Sequence, residues 1–208
     1  PYTHTFVRLN DGLASGAVAF DTVMYERGLR LRPAAGATVL AQVVEPYFER
    51  SWDRFCGHSY TPPNRLSPYA AIVANERVIT VAFPLFVAIA KHGNLAYRDI
   101  LGGLLDRLLP DPLLRTRGPA HLETAVAVRG DTTVVHLLSF IPSRQGELDI
   151  ISDPFPLVDV PVSVRRAEPP ASVTLQPSGQ RLDFEHRDGY VHTQVTVLDG
   201  HALLVVSA

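Results

Sequence analysis

The chain has 208 residues, 46% of them hydrophobic and 19% charged, with a formal net charge of −2. That balance supports a packed core and excludes disorder, and it leaves no basic field to hold nucleic acid. No apolar run approaches the roughly 18–20 residues of a membrane span, and the single Cys excludes an internal disulfide or a multi-Cys zinc knuckle. The chain opens on Pro1 without a signal peptide, and its one Met is the internal Met24. This predicts part of a longer polypeptide, expected in a reducing, cytoplasmic compartment.

Residues 3–9 predict a short strand, and residues 13–25 are ambiguous between helix and strand. Pro33-Ala34-Ala35-Gly36 is a turn signal, and residues 37–44 read as a buried strand that ends at Pro46. Residues 69–73 and 77–83 predict a hairpin through Ala74-Asn75-Glu76. Pro84 suits the first turn of a helix that runs over residues 85–91 to Gly93, a good C-cap. The clearest helix covers residues 95–109. Tyr97, Ile100, Leu101, Leu104, Leu105 and Leu108 fall on one stripe, Asn94 can cap its start, and Pro110 stops it.

Residues 111–119 hold two Pro and a Gly and read as a linker. Beyond them the pattern predicts strands only, at residues 122–128, 132–140, 158–165, 172–175, 182–185, 190–198 and 202–206. Turn signals such as Arg129-Gly130-Asp131, Arg187-Asp188-Gly189 and Asp199-Gly200 separate them. Many short strands with frequent turns indicate a β-sandwich of about 90 residues. The expected architecture is therefore mixed α+β: an α/β segment over residues 1–115, then an all-β sandwich over residues 116–208.

Residues 43–63 form the most distinctive stretch, a long connection with the only Trp and the only Cys. Long aromatic and charged connections serve as ligand sites, lids or partner surfaces. The candidate ligand or partner residues are Arg50, Trp52, Arg54, His58 and Tyr60. Their aromatic company suits core packing, a subunit contact or sugar stacking. Cys56-Gly57-His58 raises a Cys/His nucleophile, but the strand–elbow–helix context is missing, and a small buried hydrophobe is the simpler reading. Glu49 and Asp53, four apart beside Arg50 and Arg54, read as exposed ion pairs on a short helix. A glycosidase needs two carboxylates across the scissile bond, and no pattern picks out such a pair. The eight His show no zinc spacing, so neither metal nor cofactor is expected. His136, inside an apolar strand, reads as a buried structural His. His186 and His192 flank a hairpin. Arg129-Gly130-Asp131 spells an adhesion tripeptide but reads as a turn, and no Gly-rich phosphate loop occurs.

Several runs resemble the C-terminal half of large bacterial glycoside hydrolases, the β-galactosidase-like and α-L-fucosidase-like enzymes. The runs are Tyr25-Glu26-Arg27-Gly28-Leu29-Arg30-Leu31-Arg32-Pro33, Val44-Glu45-Pro46-Tyr47-Phe48-Glu49-Arg50, Phe55-Cys56-Gly57-His58 and Thr61-Pro62-Pro63. Val78-Ile79-Thr80-Val81-Ala82-Phe83-Pro84-Leu85-Phe86, Val135-His136-Leu137-Leu138-Ser139-Phe140 and Asp199-Gly200-His201-Ala202-Leu203-Leu204-Val205-Val206 extend the resemblance over most of the chain from about residue 20. The resemblance implies a partial, flavodoxin- or amidotransferase-like α/β segment of trimerisation-domain type, degenerate, with about half of that domain missing and its parallel sheet incomplete, followed by the β-sandwich. It implies that the catalytic acid and nucleophile sit in an upstream (β/α)₈ barrel. The expected role is then a non-catalytic accessory or oligomerisation region of a galactoside- or fucoside-type hydrolase, without cofactor. Its partners would be the upstream barrel and further copies of the chain. A stand-alone carbohydrate-binding module using the 43–63 loop, and a Cys56-dependent amidotransferase-like enzyme, are the alternatives.

Overall fold

A computed structural model describes residues 4–10, 13, 20–55, 57–145, 147–151 and 154–208. The chain divides into two compact units, Pro1–Pro110 and Asp111–Ala208. Among the described residues, no helix is long and apolar enough to cross a membrane.

The first unit is built on one antiparallel sheet. Its strands are β1 (Thr5–Leu9), β2 (Thr22–Met24), β3 (Thr38–Pro46), β4 (Pro63–Ala74) and β5 (Ile79–Val81), in the spatial order β2-β1-β3-β4-β5. Two helices follow the last strand, α1 (Leu85–His92) and α2 (Leu95–Leu108). Local chemistry explains both. Gly93 adopts φ +57° at the end of α1, the left-handed conformation that glycine enters without a Cβ penalty. The Asn94 side chain accepts a hydrogen bond from the Ala96 N–H and caps α2. Of the expected stripe, Tyr97, Ile100 and Leu104 are buried and Leu101 packs at the core margin, whereas Leu105 and Leu108 are about half exposed. The buried set joins Val7, Met24, Leu40 and Ile72 from the sheet in one apolar cluster. Each fully buried large side chain contributes roughly 1.5–3 kcal/mol relative to exposure.

This arrangement overturns the expected amidotransferase-like α/β segment. A parallel sheet needs a crossover, usually a helix, between consecutive strands. Among the described residues, no α-helix intervenes between β1 and β5, and every strand pairing is antiparallel. The helices cover the sheet as a trailing pair instead of alternating with its strands. The predicted strands and helices over residues 37–109 exist, but in a different topology. The ambiguous stretch at residues 13–25 contributes β2, and its residues 14–19 lie outside the described set.

The second unit is an antiparallel β-sandwich. One sheet joins β6 (Leu114–Thr116), β11 (Leu157–Arg165), β14 (Phe184–Arg187) and β15 (Tyr190–Val197) in the order β14-β15-β11-β6. The other joins β7 (Leu122–Arg129), β8 (Thr132–Ser139), β12 (Ser172–Gln176), β13 (Gln180–Arg181) and β16 (His201–Ser207) in the order β13-β12-β16-β8-β7. β9 (Pro142–Gln145) and β10 (Leu148–Ile151) pair as a separate hairpin. Period-two burial along β8, β15 and β16 turns Val135, Leu137, Val191, Val195, Leu204 and Val206 into a common core.

The turn signals act as expected. Asp188 and Gly189 both have positive φ, 53° and 74°, which matches the two-residue turn that suits the twist of the β14–β15 hairpin. Gly130 turns β7 into β8, so Arg129-Gly130-Asp131 is a hairpin. The segment at residues 111–119 is not a plain linker. Leu114–Thr116 pairs along β11 as an edge strand, the place where flanking prolines are tolerated.

Candidate functional site

The 43–63 connection leaves β3, runs over the surface and returns as β4. Trp52 is 86% exposed and Tyr60 75%, while Arg50, Arg54 and His58 are exposed as well. Residues 49–54 form no helix: the Ser51 and Arg54 backbones pair across a tight turn, and Arg54 lies 4.0 Å from Asp53. Trp52 makes no ring contact among the described residues, and Cys56 lies outside them. Arg54 meets only its neighbours within the loop, Asp53 and the Phe48 ring, whereas His58, in a 3-10 turn over His58–Tyr60, meets groups from distant parts of the chain.

His58 hydrogen-bonds the Tyr25 hydroxyl at 2.8 Å through Nδ1, and its ring lies 6.1 Å from that of His4. Tyr25 also packs 5.0 Å from His92. Burial, and then the neighbouring His58, lower the His4 pKa, while burial raises that of Tyr25. Beside this group lies a cavity of about 290 Å³. Val43, Ser67, Tyr69 and Phe83 line it, and residues 25–30 form another part of its wall. That wall lies outside the named strands and is held by the bond from the Leu29 N–H to the Ala82 carbonyl at 2.8 Å and by the bridge between Leu31 and Ala70.

Two carboxylates reach this cavity, and both are ion-paired. Glu45 accepts from Arg65 at 2.6 Å across the β3–β4 ladder. Glu26 contacts Lys91 and His92, each at 3.1 Å, and these hydrogen bonds hold its pKa below the ordinary 4.5. The stabilisation this gives is present above the unfolded-state value and fades as pH falls through the lowered folded-state value. Lys91→Ala is expected to raise the Glu26 pKa toward 4.5 in a side-chain NMR titration. An unchanged value would show that the ion pair does not form in solution.

None of Tyr25, Glu26, His4 or Tyr69 carried a spacing signal in the sequence, because His4, the Tyr25-Glu26 pair and Tyr69 lie far apart along the chain. Elsewhere, His136 is not buried: its Nδ1 lies 3.2 Å from His201 Nε2 on the adjacent strand. His186 and His192 do not face each other but bond the Arg166 carbonyl and the Ser163 hydroxyl. No group of three or more metal-ligating side chains occurs among the described residues.

No family model matches the chain, and no curated protein matches it. Among solved structures it is similar to α-L-fucosidase isoenzyme 2 from Paenibacillus thiaminolyticus, with 28% identity and a TM-score of 0.87. The match covers all of this chain and 32% of the fucosidase chain. This chain therefore spans about a third of the length of the structure it matches, and it is similar in both sequence and fold to that part of a glycoside hydrolase.

Proposed function

We propose that the chain is a non-catalytic accessory region, C-terminal in its parent polypeptide, of a glycoside hydrolase acting on fucosides or galactosides. The observation that carries this reading is the full-length match to one third of an α-L-fucosidase. Its partner would be a catalytic domain of the same polypeptide.

The site chemistry agrees. A glycosidase acid is a carboxyl whose pKa is raised, set beside a second carboxylate. Glu26 is shifted in the opposite sense, and Glu45 is tied to Arg65. A sugar-binding module is not favoured. The solved structure that the chain matches is a hydrolase, and neither Trp52 nor Tyr60 lines the cavity.

The chain is expected to show no turnover of 4-nitrophenyl α-L-fucoside or β-D-galactoside above the buffer rate. Turnover that disappears in Glu26→Gln or Glu45→Gln would overturn the reading, because the catalytic carboxylates would then lie in this chain.

A further inference from the structure

Arg27 and Arg30 line the cavity of the first unit, Arg32 follows Arg30 by two residues, and none of the three has a carboxylate partner among the described residues. The nearby acids are already engaged: Glu26 by Lys91 and His92, Glu45 by Arg65. Arg30 and Arg32 both approach the Tyr69 ring, with guanidinium carbons 5.3 and 5.4 Å from its centroid. Arg27, Arg30 and Tyr69 all line the cavity, whose remaining wall includes Val43, Leu29 and Phe83.

We propose that this cavity binds a small organic carboxylate, its body seated against Tyr69, Val43 and Phe83 and its anionic group facing Arg30 and Arg27. Stacking on Tyr69 holds the Arg30 guanidinium without consuming its N–H donors, so its planar fork remains available to a carboxylate. The apolar wall sets the other half of the ligand, because a bare inorganic anion would leave it uncovered. At about 290 Å³ the space lies at the lower end of ligand pockets and suits a body the size of a single ring. The site is independent of the hydrolase reading, since it concerns binding by this chain and not turnover.

The test is a calorimetric and NMR titration of the chain with sodium benzoate, with benzamide as the neutral isostere and sodium sulfate as the inorganic anion. Benzoate is expected to saturate with a Kd on the order of 1 mM, to move the amide signals of Gly28 and Leu29, and to bind more weakly as salt rises. Arg30→Ala is expected to weaken it about 10-fold, and Arg30→Lys to fall between the two because it keeps the charge but loses the fork. Equal affinity for benzamide, equal affinity for sulfate, unchanged benzoate binding in Arg30→Ala, or no saturation by about 50 mM benzoate would each overturn the proposal.

Discussion

Replacing Tyr97 with Ala is expected to destabilise the first unit by about 3–5 kcal/mol, the range for removing a buried aromatic ring. Tyr97 is completely buried at the centre of the interface between α2 and the sheet, and its hydroxyl donates to the Val23 carbonyl at 2.7 Å. Two terms therefore separate. Tyr97→Phe keeps the ring and removes only the hydrogen bond, so its cost should be about 0.5–1.5 kcal/mol. Tyr97→Ala also leaves a cavity among Met24, Ile100 and Leu104, members of the same core cluster. Hydrogen exchange of the β1, β3 and α2 amides measures both. If Phe and Ala cost the same, the hydroxyl and not the packing would be holding the helix pair to the sheet.

How much of this was legible follows from the range of each signal. The cap at Asn94, the stop at Gly93 and the Asp188-Gly189 turn act over a few residues, and the same few residues carry them in the sequence. The sandwich was legible because period-two alternation recurs in β8, β15 and β16 between punctual turns. Strand direction in the first unit was not. An apolar run such as residues 38–44 looks alike in a parallel or an antiparallel sheet, and pairing direction depends on connections, not on the run itself. The three-residue strands β2 and β6 were also hidden, since so short a segment offers no period to detect.

The candidate site shows the same division. Composition drew attention to residues 43–63, yet Trp52 stands 86% exposed and away from the cavity. The cavity instead gathers His4, the run from Tyr25 to Arg30, and Tyr69 from three separate stretches. The one local sign was the run from Tyr25 to Pro33, noted for its resemblance to glycoside hydrolases, and residues 25–30 of that run form one wall of the cavity.

Gly28 in that wall carries the second large effect. A Cβ built there would lie 2.6 Å from the Phe83 ring and 2.9 Å from the Ala82 carbonyl oxygen, both too close for real atoms. The same carbonyl accepts the Leu29 N–H that fastens the wall to the sheet. A side chain at position 28 must therefore displace a buried ring, lift the wall, or do both. Gly28→Val is expected to cost about 3 kcal/mol, at the upper end of overpacking penalties, with Gly28→Ala nearer 1–2 kcal/mol. Phe83→Leu removes part of the obstructing ring, so combined with Gly28→Ala it should cost less than the two changes added separately. The shortfall should be only partial, because the Ala82 oxygen remains in place. Fully additive costs in a urea-unfolding double-mutant cycle would mean that the ring is not the obstacle. Loss of the Leu29–Ala82 hydrogen bond, read as faster exchange of the Leu29 amide in Gly28→Ala, would then assign the cost to the lifted wall.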